Sequence, residues 1–175
     1  VDFRRYCFGR GQDGGDDQPQ RQCPHAADLC RRADFVARGA GTIINISSIV
    51  AIGPEILNGV YGGSEAFVLA FSQSLHHELA AKGVRVQAVL PGATATEFWG
   101  IAGTPVEHLP TKIVMSAADM VDAALAGLDQ GELVTIPALP NAADWAAYEG
   151  ARQVLMPQLS RARPAQRYLK KLAAA

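Results

Sequence analysis

From Thr42 the chain reads Thr-Ile-Ile-Asn-Ile-Ser47, a β-branched run bounded by Gly39 and Gly41 on one side and by Ser47-Ser48 on the other. A short continuous apolar run between turn signals predicts a strand buried on both faces of a parallel sheet. Residues 49–60 hold Gly53-Pro54 and Asn58-Gly59, both turn signals, and read as a loop. Phe67, Phe71, Leu75 and Leu79 then recur every four residues, which predicts a helix from about Tyr61 to Lys82 that Gly83 stops. Val84 to Leu90 is a second strand, cut by Pro91-Gly92 because proline cannot extend a central ladder. Ser116-Ala-Ala-Asp119 resembles a capping box and starts a helix through Gln130 that Gly131 ends. Leu133 to Leu139 is a third strand, with Pro137 marking an edge or an end. Beyond Pro140 the pattern is a helical tail, Ala142 to Met156, interrupted by Pro157 and ending basic with Arg161, Arg163, Arg167, Lys170 and Lys171.

Strands alternating with helices predict an α/β fold around a parallel sheet. Ser48 falls at the C-terminal end of the first strand, where open α/β sheets take their ligands. Three regions follow: an irregular segment over 1–33, an α/β domain over 34–140, and a helical basic tail over 141–175. The first region is polar and turn-rich, without apolar periodicity. Its stretch from Asp16 to Cys30 can be encoded so that reading one nucleotide later yields an amphipathic helix, with an asparagine falling across Gln20 and Arg21. The expectation is a frameshift across this segment, corrected near Asp34.

Composition narrows the function classes. With 175 residues, 49% hydrophobic content and a net charge of -1, the chain suffices for one domain and has no basic excess to attract nucleic acid. No apolar run approaches the ~20 residues of a membrane span, and the first residues lack the order of a signal peptide, so a cytoplasmic protein without membrane contact is expected. Cys7, Cys23 and Cys30 all lie in the first thirty residues, and Cys23, His25 and Cys30 match no common zinc spacing, so no metal is expected.

Candidate chemistry sits at the strand-to-helix junction. Asn45-Ile-Ser-Ser48, Tyr61 thirteen residues after Ser48, and Pro91-Gly-Ala-Thr-Ala-Thr96 together resemble the C-terminal half of the short-chain dehydrogenase/reductase family. The resemblance implies half of a Rossmann-like, doubly wound parallel sheet and an NAD- or NADP-dependent oxidoreductase acting on a small carbonyl or secondary alcohol. It implies catalytic roles for Ser48 and Tyr61, and cofactor contacts from Pro91, Gly92, Thr94 and Thr96. It also implies a substrate lid over residues 97–114 and a homo-oligomer formed through the helix over 61–82.

One position departs from the family's Tyr-x-x-x-Lys pattern: position 65 is Glu. Free tyrosine titrates near pH ~10 and serves as a proton relay at neutral pH only when a positive charge favours its phenolate. Glu65, one turn along the same helix face, opposes that charge state. No Gly-x-x-x-Gly-x-Gly or Gly-x-Gly-x-x-Gly follows a predicted strand in this sequence, which likewise weighs against cofactor binding and activity. The expectation is therefore an impaired oxidoreductase, with a non-catalytic remnant or oligomerisation partner of an intact homologue as the alternative. A half-sheet would leave an apolar edge on the first strand, so marginal stability or pairing with another chain is expected.

Overall fold

A computed structural model describes residues 33–57, 59–101 and 103–169. The expected frameshift over 16–30, the three cysteines with His25, and Lys170 and Lys171 lie outside the described residues. The rest divide into two compact units at Ala138/Leu139.

In the first unit, a helical stretch over residues 33–38 (α1) leads into β1 (Gly41–Ile46), α2 (Gly59–Leu79), β2 (Val84–Val89), α4 (Ala117–Asp129) and β5 (Val134–Thr135). Between β2 and α4 lie β3 (Thr94–Ala95), the short α3 (Phe98–Ile101) and β4 (Met115–Ser116). The main sheet has the order β1-β2-β5, parallel throughout, with Ile43 opposite Val86 and Val89 opposite Thr135. Each step across it is a strand-helix-strand unit, as parallel pairing requires. A second, two-stranded parallel pair sets Thr94 opposite Met115 and Ala95 opposite Ser116.

The core gathers Ile43, Leu75, Leu79, Val84 and Val86, with Phe35, Val36 and Phe71 packed against it. Two glycines permit this packing. A Cβ on Gly41 would meet the Phe35 ring at 2.4 Å, so the ring lies over bare backbone. Gly83 ends the α2 region with φ of +76° and would clash with the Gly39 carbonyl if it carried a side chain. α4 starts as its capping box predicts: Ser116 Oγ accepts from Asp119 N at 3.0 Å and donates to Asp119 Oδ2 at 2.8 Å.

Two strand expectations change. β1 is not buried on both faces: Ile44 and Ile46 are 39% and 56% exposed. Residues paired across a parallel ladder share a face, so Ile44 lies on the side of Gln87, its register partner. α4 occupies that side over β2 and β5, where Gln87 Nε2 donates to the Ala124 carbonyl at 2.8 Å, and among the described residues it leaves the β1 end uncovered. The third strand shrinks from 133–139 to Val134–Thr135, since Pro137 has no N–H for a ladder and residues 137–138 turn.

The second unit contains α5 (Ala142–Leu155), capped by Asn141 Oδ1, which accepts from Ala143 N at 3.0 Å. Trp145 and Tyr148 stack one turn apart, and Arg152 pairs with Glu149 at 2.7 Å. Pro157 lies in the one-turn 3-10 helix that follows. Among the described residues no helix is long and apolar enough to cross a membrane, and no cluster of potential metal ligands is found.

Candidate active site

The end of β1 and the start of α2 meet because the intervening loop is compact. Ser48 has extended backbone and caps a turn over Ile49–Ala51, its Oγ accepting from Val50 N at 3.4 Å. Ile49 N donates to the Pro91 carbonyl at 3.0 Å, which ties the tips of β1 and β2 together. Gly62 brings the first turn of α2 down onto this loop: a Cβ there would lie 3.2 Å from Pro54 Cβ and 3.7 Å from the Val50 carbonyl. Tyr61, the preceding residue, is thereby held over the strand tip, and Ser48 hydrogen bonds to its phenol.

That phenol is held above its ordinary pKa of 10.0, first by burial and then by the negative charge of Glu65, while the bond to Ser48 works the other way. Tyr61 is therefore a neutral donor at physiological pH. Glu65 is itself pushed above the ordinary carboxylate value of 4.5 by burial, partly offset by Ser47. Ser47 has one proton, and it points at the Glu65 main-chain carbonyl, 2.9 Å away. Little remains to stabilise the carboxylate, and among the described residues its buried Oε2 has no hydrogen-bond partner.

The Pro91 to Thr96 segment turns inward on itself. Thr94 Oγ1 donates to the Gly92 carbonyl at 3.2 Å, Thr96 Oγ1 points back to the Thr94 carbonyl at 3.5 Å, and Trp99 Nε1 donates to the same carbonyl at 2.9 Å. Gly92 stays open: among the described residues a Cβ built on it would meet only Ile49 Cδ1, at 3.8 Å. The structure thus joins Ser48, Tyr61 and Glu65 and ties Pro91 to the residue after Ser48. His76 and His77 stand ~22 Å along α2 from Tyr61 at the helical rise; His77 is exposed and His76 half-buried.

Two contacts were not foreseen from sequence. Phe98 lies against the Tyr61 ring, with centroids 5.9 Å apart. Asn45 Nδ2 donates to Ser72 Oγ at 2.9 Å, and Ser72 in turn donates to the Val68 carbonyl at 2.8 Å, latching β1 to the middle of α2. The second had a signal, because Ser72 is the polar member of the buried series Leu69, Ser72, Leu75, Leu79.

Comparison with known proteins places these features in one family. Residues 27–104 match the family model described as short chain dehydrogenase. Among solved structures, a short-chain dehydrogenase from Sphingobium yanoikuyae in complex with NADPH aligns at a TM-score of 0.77 and 49% identity, over 81% of this chain and 55% of that one. The bulky-bulky ketone specific alcohol dehydrogenase from Comamonas testosteroni aligns at 0.72 and 41%, over 92% of this chain and 64% of that one. Serine 3-dehydrogenase of Rhizobium radiobacter is 47% identical over 58 residues, 33% of this chain and 23% of that protein. The chain thus spans about a quarter of that curated relative and between half and two thirds of these two structures. The family match covers the tip of β1, the first turns of α2 and the Pro91-Gly92 break, so over residues 27–104 this chain matches the short-chain dehydrogenase/reductase family.

Proposed function

We propose that this chain is part of an NAD- or NADP-dependent oxidoreductase that interconverts a carbonyl and a secondary alcohol, with its proton-donating tyrosine impaired by Glu65. The observation that carries the reading is the hydrogen bond between Ser48 and Tyr61 across the β1–α2 junction. Two hydroxyls on adjacent elements can converge on one substrate oxygen: Ser48 polarises it, and Tyr61 gives it a proton as negative charge develops there.

Two features of the site fit a nicotinamide dinucleotide. The open face of Gly92 admits close approach to the backbone, and the buried, unpartnered Glu65 Oε2 is an acceptor that a ribose hydroxyl would satisfy. Pro91, Gly92, Thr94 and Thr96 are the residues assigned to hold it. Such a cofactor supplies or accepts the hydride. The NADPH of the Sphingobium yanoikuyae structure supports this assignment.

Impairment rests on the charge beside the phenol. General acid catalysis contributes ~10²- to 10⁴-fold, and that range bounds what a mistuned tyrosine forfeits. The second reading, a non-catalytic partner of an intact homologue, draws on the apolar surface of α2. Val60 and Phe67 are exposed there, and Phe67 stacks on Phe71 with centroids 5.9 Å apart.

Titrating NADPH and NADH separately into the purified chain, followed by nicotinamide fluorescence, tests the first reading. Saturable binding is expected below about 1 mM, the upper range of enzyme substrate constants. No binding of either at that concentration rejects the enzyme reading and leaves the second.

A further inference from the structure

Phe98 opens α3, a helix of four residues that is too short to be stable by itself. Its position is set by neighbours. The centroid of its ring lies 5.9 Å from that of Tyr61 at a 32° tilt and 5.4 Å from that of Trp99 at 82°. Trp99 is fixed in turn, since its indole N–H donates to the Thr94 carbonyl at 2.9 Å and Thr94 belongs to the β3–β4 pair. An unbroken series of contacts therefore runs from that strand pair through two aromatic rings to the phenol.

Phe98 nevertheless remains 44% exposed. An anchored, half-exposed ring beside a hydroxyl pair forms an apolar wall at a polar reaction centre. A molecule whose oxygen reaches Ser48 and Tyr61 can cover the remaining ring surface only with an apolar group, and a flat aromatic group gains most from the ring's quadrupole. The nearby Glu65 carboxylate works against anionic substrates.

We propose that Phe98 determines specificity by stacking an aryl substituent of a neutral ketone or secondary alcohol, and that Trp99 is the positioning residue holding Phe98 in place. The choice of a carbonyl compound rests on the oxidoreductase reading above, whereas the wall itself rests on the ring contacts.

Acetophenone and acetone, titrated into the full chain labelled with 5-fluorotryptophan, provide the test. The two indoles, Trp99 and Trp145, lie in different units, so Trp145 serves as an internal control. Calorimetry is expected to show acetophenone binding about tenfold more tightly than acetone, the size of one aromatic pair. The Trp99 fluorine signal should shift saturably while the Trp145 signal stays put. Phe98→Leu, which keeps apolar bulk without the ring, should abolish the preference at unchanged Tm. Trp99→Phe, which removes only the N–H, should reduce it.

Equal response of both fluorine signals, or an undiminished aryl preference in Phe98→Leu, overturns the proposal. Absorbance of NADPH, followed separately in the presence of acetophenone, reads the other claim. If the aryl preference is present but NADPH is not consumed, the wall is supported and the oxidoreductase reading fails.

Discussion

Glu65 stands one helical turn beyond Tyr61: burial and then the Glu65 charge hold the phenol protonated, while the carboxyl's own Oε2 is buried without a hydrogen-bond partner among the described residues. The carboxyl's folded-state pKa lies above its ordinary 4.5, so the folded protein binds the Glu65 proton more tightly than the unfolded chain does. Its contribution to stability is fully present below 4.5 and is lost as pH rises through the raised value. Urea unfolding of the parent and of Glu65→Gln across this window should show the parent losing stability with rising pH relative to the variant. Parallel pH profiles would remove the buried-charge account.

The same pair predicts the titration of Tyr61. Glu65→Gln deletes the negative charge, and Glu65→Lys replaces it with a positive one, so the phenol's pKa should fall in the first variant and further in the second. NMR of ring-labelled tyrosine, with Tyr61 assigned through Tyr61→Phe, resolves it from Tyr6, Tyr148 and Tyr168. An unchanged phenol titration in both variants would mean that burial alone sets it.

The Asn45–Ser72 bond predicts a stability effect distant from the chemistry. Ser72 is fully buried, and Ser72→Ala leaves the Asn45 amide without its partner and removes a link between β1 and α2. Asn45 is half-buried, so the cost expected is that of a net hydrogen bond, about 0.5–1.5 kcal/mol. Denaturant melts of Ser72→Ala and of the double variant with Asn45→Val should show the double losing less than the sum of the singles.

The elements legible in the sequence were those governed by local rules. Gly83 stopped a helix because only a residue tolerant of positive φ fits there, and Ser116 with Asp119 announced a helix start through a bond spanning three residues. Spacing also brought Ser48 and Tyr61 to one junction. Phe98 gave no such signal, because its contact with Tyr61 joins positions 37 residues apart through a segment whose pattern reads as an irregular flap. Ile44 and Ile46 misled for a related reason: a β-branched run reports strand preference and apolarity, whereas exposure depends on which strand the helix on that face covers.

Two glycines in the same unit should respond differently to the same substitution. A Cβ at Gly127 would lie 2.3 Å from Thr135 Oγ1 and 2.7 Å from Glu132 Oε2. It would break a buried series in which Gln87 Nε2 donates to Thr135 Oγ1 and Thr135 donates to Glu132, each at 2.8 Å. Gly127→Ala should therefore cost about 1–3 kcal/mol through overpacking, read as a lower denaturant midpoint. At Gly92 a Cβ meets only Ile49 Cδ1 at 3.8 Å, an ordinary contact, so Gly92→Ala should stay within about 0.5 kcal/mol of the parent. Among the described residues nothing else packs on that open face, which leaves room there for a ligand. If Gly92 is where the dinucleotide backbone approaches, Gly92→Ala will weaken NADPH binding at unchanged stability; a variant that binds NADPH as the parent does removes Gly92 from the cofactor site.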